Sequence, residues 1–179
     1  MPALSAKPVT ASPLAARGRA RLSVDQAIND FLAQQRIAVC GVSREGVGKH
    51  GANMIYSRLK ERGYEVFAVN PVPFSIDGDV CYPALSAIPD GVDAVVIATP
   101  KARTAAVVAE CWHLGITRVW MHDSFGEGSL TDEAHTACKE AGMDCIAGAC
   151  PLMYGQASDF AHRLGKRVLG ITGKLPKSI

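Results

Sequence analysis

The chain has 179 residues, 48% of them hydrophobic and 20% charged, with a formal net charge of +2. That length suits one domain of ~100–200 residues, and that apolar share suits a packed core, so wholesale disorder is excluded. The longest apolar runs, such as residues 94–99, fall far short of the ~20 residues a membrane-crossing helix needs. No transmembrane helix is expected, and Gly and Pro are scattered without a collagen-like period.

Charge is uneven along the chain. Residues 1–22 carry Lys7, Arg17, Arg19 and Arg21 and no acid, and residues 163–179 carry Arg163, Lys166, Arg167, Lys174 and Lys177 and no acid. The stretch between them is therefore net acidic, so a basic surface for duplex nucleic acid on the core is not expected. The first 22 residues lack a continuous apolar segment, which argues against a secretory signal, although their Ala/Ser/Arg composition imitates an organelle transit peptide. They are read as a flexible basic tail ahead of one domain over residues 23–170, with a short C-terminal tail over 171–179.

In chain order, Ser23 and Gln26 have the spacing of a capping box, and Val24, Ala27, Ile28, Phe31 and Leu32 recur at helical period, which predicts a helix over 24–34. Residues 36–42 are an apolar run suited to a buried strand. A glycine-rich loop, 41–51, leads into a helix over 52–62 with Met54, Ile55 and Leu59 on one face, closed by Gly63. Residues 65–69 form a second strand, stopped by Asn70-Pro71. The segment 71–92 is loop-rich, with one short extended piece at 80–82. Residues 94–98 are a strongly apolar strand, closed by Thr99-Pro100. A helix over 101–114, a strand over 118–121, a helix over 130–141, a strand over 144–147 and a final helix over 156–169 follow.

Strands alternating with helices of about a dozen residues imply parallel βαβ units with right-handed crossovers. The expected fold is a single α/β domain: a Rossmann-like, doubly wound, mostly parallel sheet of about five strands with helices on both faces. Such sheets bind ligands beyond the carboxyl ends of the strands, where strand order reverses. That point lies between the loop from Gly41 and the turn Thr99-Pro100-Lys101.

The six cysteines, at 40, 81, 111, 138, 145 and 150, include no C-x-x-C pair, which removes zinc-finger and thioredoxin chemistry. Buried, reduced thiols in a cytoplasmic protein are the simplest account. Cys138 and Cys145 with His135 have no metal spacing, so no metal site is expected.

The 41–51 loop is the most informative segment. Glycines near a helix start let backbone N–H groups approach a phosphate, and the helix N-terminus adds about half a positive charge. Ser43 adds a hydroxyl, and Arg44 and Lys49 add cations. The G-x-G-x-x-G fingerprint appears as Gly41-x-Ser43-x-x-Gly46, with Ser at the glycine that would touch a pyrophosphate. The acid that holds the ribose of NAD at the end of the second strand is replaced by Asn70-Pro71. A Walker A loop fails as well, because its first Gly and final Ser/Thr are missing around Gly48-Lys49-His50. The G-x-S-x-G elbow fails because Glu45 stands at its second Gly.

Gly41-Val42-Ser43, the 64–71 stretch ending Val69-Asn70-Pro71, Cys81-Tyr82-Pro83-Ala84-Leu85, Val119-Trp120-Met121 and Cys150-Pro151-Leu152-Met153 occur in that order. The set resembles the small CoA-binding-domain proteins, which are similar to the N-terminal CoA-binding domain of the succinyl-CoA synthetase alpha subunit, over about residues 34–154. The resemblance implies coenzyme A as ligand. Gly41, Val42, Ser43, Arg44 and Lys49 would lie at the phosphates, Asn70 and Pro71 at the adenosine, and Thr99, Pro100 and Lys101 along the pantetheine path. The loop 122–128 departs from the short turn usual after Trp-Met. The neutral Asn70 agrees with that ligand, since a carboxylate there would repel a 3′-phosphate.

The synthetase's phosphohistidine and nucleotide-binding partner belong to other domains, for which no room is seen after residue 150. The reading is therefore non-catalytic binding of CoA or an acyl-CoA by a stand-alone module, as carrier, sensor or partner subunit, with a homo-oligomer as a further possibility. The alternatives are an NAD(P)-dependent oxidoreductase, with Arg44 taking a 2′-phosphate, and a regulatory or structural protein with a decayed site. His50 and His122 stand near the expected ligand. His113, His135 and His162 read as helix surface or core. Cys150 is the candidate reactive thiol, with core packing as the leading account of it.

Overall fold

The computed structural model describes residues 22–44, 51–72, 74–123 and 128–155. The elements in order are α1 (Val24–Leu32), β1 (Arg36–Cys40), α2 (Gly51–Glu61), β2 (Glu65–Val69), β3 (Ser75–Ile76), β4 (Asp79–Tyr82), β5 (Ala94–Ile97), α3 (Lys101–His113), β6 (Arg118–Met121), α4 (Asp132–Glu140) and β7 (Asp144–Ala147). Short 3₁₀ turns cover Leu85–Ala87 and Pro151–Met153. Residues 1–21 of the tail expected at 1–22, the tail expected at 171–179 and the expected helix over 156–169 lie outside the described residues, while Leu22 is partly buried against the core.

The sheet has seven strands in the order β3-β4-β2-β1-β5-β6-β7. All pairs are parallel except β3 with β4. The expected α/β Rossmann-like fold is present, with two more strands than the five predicted. Both arise in the segment 71–92: the extended piece expected at 80–82 is β4, which adds to β2 in register Ala68–Cys81, and the two-residue β3, read as loop, caps the edge. Strands this short carry too few alternating residues to register as a periodic signal.

Alternation along β1 divides the core. Ile37 and Val39 point to the side packed by α1 and α2, and Ala38 and Cys40 to the side packed by α3 and α4. The first side is aromatic: Phe31 of α1 meets Trp120 edge-to-face at 5.4 Å, and Trp120 Nε1 donates to the Gly148 carbonyl. The second side is built from Val, Ile and thiols. At the start of α1 both capping-box bonds form, Gln26 N to Ser23 Oγ at 3.3 Å and Ser23 N to Gln26 Oε1 at 2.8 Å. On α2 the buried stripe is Ala52, Ile55, Tyr56 and Leu59. Met54, expected with it, lies outside that stripe and is exposed, because Ile55 and Leu59 share a face with Ala52 and Tyr56 at i+3/i+4 spacing.

Cys138 of α4 and Cys145 of β7 are joined as a disulfide with Cα atoms 6.1 Å apart. The expectation of reduced thiols therefore fails for this pair; the other four cysteines are buried, as expected. Its physical basis is proximity: α4 runs back over β7 and brings two cysteines seven residues apart face to face.

Candidate functional site

The strand order reverses between β1 and β5, and the turns after these two strands face each other across the sheet's carboxyl edge. The turn after β1 is held close to that after β5. Gly41 has φ +103°, and a Cβ built on it would lie 2.3 Å from the Ala98 carbonyl oxygen. Only glycine permits both the left-handed backbone and that approach. Gly41 N donates to the Val69 carbonyl and Ala98 N to the Cys40 carbonyl, which locks the three strand ends together.

Two asparagines hold the loop beyond Gly41. Asn53, fully buried in the first turn of α2, accepts from Ser43 N and donates Nδ2 to the Ser43 carbonyl, both at 2.8 Å. Asn70, at the end of β2, donates Nδ2 to the Val42 carbonyl at 2.7 Å and accepts from Val72 N at 2.9 Å. Both polar atoms of the Asn70 side chain thus bond to backbone.

These elements border a cavity of about 710 Å³, within the usual range of small-molecule sites. One end meets Gly41, Ser43 and the start of α2 at Gly51. The other runs between Pro71, Pro83 and Ala84 on one side and Arg103, Ala106, Val107 and Glu110 of α3 on the other. Thr99 and Pro100 stand at the start of α3, where Pro100 is the N-cap and makes no side-chain cap bond.

Of the residues predicted from sequence, Gly41, Ser43, Asn70, Pro71, Thr99 and Pro100 line this one cavity. Val42 does not: its side chain is fully buried in the core, and its carbonyl serves Asn70. Arg44 and Lys101 are exposed and absent from the lining. Lys49 and His50 lie outside the described residues. Arg103 is the sole Lys or Arg among the described lining residues.

Sequence reasoning missed Asn53, Arg103 and Glu110. A signal existed for the last two, because Arg103, Ala106, Val107 and Glu110 follow i, i+3, i+4, i+7 spacing on the α3 face opposite the Thr104–Val108–Cys111 core stripe. Asn53 offered none, since its role depends on the loop folding back onto α2.

Hydroxyl chemistry marks both turns. Ser43 Oγ and Thr99 Oγ1 are buried and have no hydrogen-bond partner among the described residues. Buried polar groups ordinarily find partners, so these two oxygens, like Ser57 Oγ and His135 Nε2 away from the cavity, are exceptions. The Thr99 carbonyl accepts from Ser129 Oγ at 2.6 Å, and the Ser129 carbonyl accepts from the fully buried Thr104 Oγ1 at 2.7 Å, a chain that fixes the turn from beneath.

His122, at the end of β6, also lines the cavity. Its ring lies against the start of α2, where a Cβ on Gly51 would come 3.3 Å from Cε1. Burial lowers its pKa from 6.5, only partly opposed by Asp123, so the ring is neutral at pH 7. Cys40 is the thiol in the cavity wall, and burial, then Cys111, Glu110 and Cys81, push its pKa well up. It is a neutral thiol rather than a nucleophile. Cys150 is buried in the core on the α1/α2 side and does not line the cavity.

The fold and the crevice together define a Rossmann-like α/β domain with a ligand-sized site at its switch point. Within that class the chain belongs to the CoA binding domain family, whose sequence model matches residues 35–156. It is 39% identical over 134 residues to acetate–CoA ligase [ADP-forming] I of Archaeoglobus fulgidus, and 38% identical over 91 residues to ligase II of the same organism. Those matches take in 75% and 50% of this chain but only 17% and 13% of the ligases, so the chain spans a small part of these relatives' length. Among solved structures, a hypothetical protein from Pyrococcus horikoshii OT3 superposes with TM-score 0.65 at 26% identity, covering 83% of this chain and 94% of that one. The dinucleotide forming acetyl-coenzyme A synthetase 1 of Ca. Korarchaeum cryptofilum, in complex with phosphate and ADP, superposes with TM-score 0.51 at 25% identity, covering 64% of this chain and 25% of that one.

Proposed function

We propose that the chain binds coenzyme A or an acyl-CoA in the switch-point cavity and does so without catalysing a reaction itself. The observation that carries this reading is the switch-point cavity itself, lined by Gly41, Ser43 and the start of α2 at Gly51 and by Thr99 and Pro100, with the neutral Asn70 at its β2 side. The α2 N-terminus and the hydroxyls suit a pyrophosphate. Arg103 supplies the countercharge for a further phosphate. The absence of a carboxylate at Asn70 removes the group with which an NAD site holds ribose. Neutral, buried Cys40 and neutral His122 support binding rather than nucleophilic chemistry.

Isothermal titration of dialysed protein with CoA is the test. Saturable binding is expected, and Ser43→Asp, which puts a carboxylate beside the expected phosphates, should abolish it in protein whose circular dichroism matches the parent. Heat with NADH and none with CoA would replace this reading with a dinucleotide one. No heat with either would replace it with a non-binding role.

A further inference from the structure

The turn joining α4 to β7 lies at the amino edge of the sheet, and the far ends of both elements meet at the carboxyl edge, on His122-Asp123 at the end of β6. Ser129 N, two residues before the α4 N-cap Thr131, donates to the His122 carbonyl at 2.7 Å. Asp123 N donates to the carbonyl of Ala149, two residues past β7, at 3.1 Å. Gly128 presses onto Asp123 so closely that a Cβ on it would lie 2.2 Å from Asp123 Oδ1. From the same clasp Ser129 Oγ reaches the Thr99 carbonyl. His122 and Thr99 both line the cavity. α4 and β7 are thus two arms of a clamp whose jaws hold the ligand side.

The Cys138–Cys145 bond crosses the two arms near their joined end. The turn there is closed without it: Ala141 N donates to the Ala137 carbonyl, Gly142 N to Lys139 and Met143 N to Cys138, at 3.0, 3.1 and 3.0 Å. The other four cysteines form no disulfide, so the bond belongs to this clamp rather than to a disulfide framework. Resting on the CoA reading above, we propose that Cys138–Cys145 is a reversible redox staple. Closed, it holds the clamp on His122 and the Thr99 turn. Opened, it lets the arms part, and affinity for CoA falls. Opening takes two electrons and two protons, which a dithiol supplies. One thiolate of the dithiol attacks one sulfur and expels the other cysteine, which takes a proton; the second thiol then resolves the mixed disulfide, leaving two protein thiols and the cyclic disulfide of the dithiol. Both cysteines are fully buried, so exchange waits on α4 lifting from β7. By linkage, a ligand that holds the clamp shut opposes reduction by the same factor by which reduction weakens the ligand.

The test compares one protein in two redox states. Protein treated with glutathione disulfide and protein reduced with a phosphine are each checked for the state of Cys138 and Cys145 by alkylation and peptide mass. Both are titrated with desulfo-CoA, in which hydrogen replaces the thiol, so that the ligand itself cannot exchange. The oxidised form should bind about fivefold more tightly, the lower end of ordinary coupling between sites. Cys138→Ser combined with Cys145→Ser should bind like the reduced parent and ignore the phosphine. Without any ligand, hydrogen exchange at the Ser129 and Asp123 amides should quicken on reduction. Equal affinity in the two states would overturn the staple while CoA binding stands. So would a double variant that still responds to the phosphine, since another thiol would then be the sensor, or a pair that remains two thiols after oxidation. If neither state binds, the CoA reading fails, and the exchange measurement decides the clamp alone: faster exchange on reduction upholds it, and unchanged exchange overturns it.

Discussion

The two turns that flank the switch point solve different problems. After β1 the chain is shaped by backbone: Gly41 at φ +103° passes under Ala98, and two asparagines hold the next peptides. After β5 the turn Thr99-Pro100 is ordinary in conformation, and what matters is the helix it starts, which carries Arg103 and Glu110 along one wall. The first turn thus sets how closely a ligand can approach. The second sets which charges it meets. A change in the first should therefore reach both stability and binding, whereas a change in the second should reach binding alone.

The largest break should come from Gly41→Ala. The added Cβ would collide with the Ala98 carbonyl in a backbone region that costs an L-residue about 1–2 kcal/mol on its own. With overpacking added, the loss should be about 3 kcal/mol, seen as a lower midpoint in urea unfolding. An unchanged midpoint would show that the two turns are not in close contact.

Next, Asn53→Ala removes both bonds to Ser43 and leaves a part-buried peptide unpaired. About 2 kcal/mol should be lost. Titration should also show CoA affinity falling further than the stability loss accounts for, because the loop is no longer held. Loss of stability with affinity intact would separate Asn53 from the site.

Arg103→Ala sharpens the contrast. Arg103 is exposed, so thermal melting should not move. CoA affinity should drop about tenfold and become less sensitive to added salt. A shift in melting with unchanged affinity would make Arg103 a structural residue.

The smallest effect concerns pH. The native pKa of His122 is lowered by burial, so the unfolded chain binds a proton that the folded one refuses. Its contribution is complete above about pH 6.5 and is lost as pH falls through the lowered native value. His122→Gln should flatten that acid-side fall in melts run between pH 7.5 and 5. His135, also lowered mainly by burial, acts in the same direction and leaves part of the slope in place. A variant as acid-sensitive as the parent would mean that His122 is protonated in the fold.

Much of the frame was legible in residues alone. The Ser23/Gln26 box, the apolar runs of β1, β5, β6 and β7, and the stops at Gly63 and Asn70-Pro71 are local signals. Capping, propensity and periodicity act within a few residues. The edge strand β3 was not legible, and β4 only as the short extended piece at 80–82, because two and four residues join a sheet only by pairing with each other and with β2. Nor was the disulfide between Cys138 and Cys145, which depends on how α4 lies over β7.

For the site, the chain order of glycines, the neutral Asn70 and the Thr99-Pro100 turn already marked which loops would meet. A βα unit always places its turn at the carboxyl edge of the sheet, so those positions follow from sequence order. Which side chains enter the cavity was decided by tertiary packing. Val42 turned inward to the core, Arg44 and Lys101 pointed away from the lining, and Asn70 spent its amide on backbone. Arg103 and Glu110 took the exposed wall of α3 because the opposite stripe of that helix was already committed to the sheet. Local energetics chose the elements, and competition for buried space chose the faces.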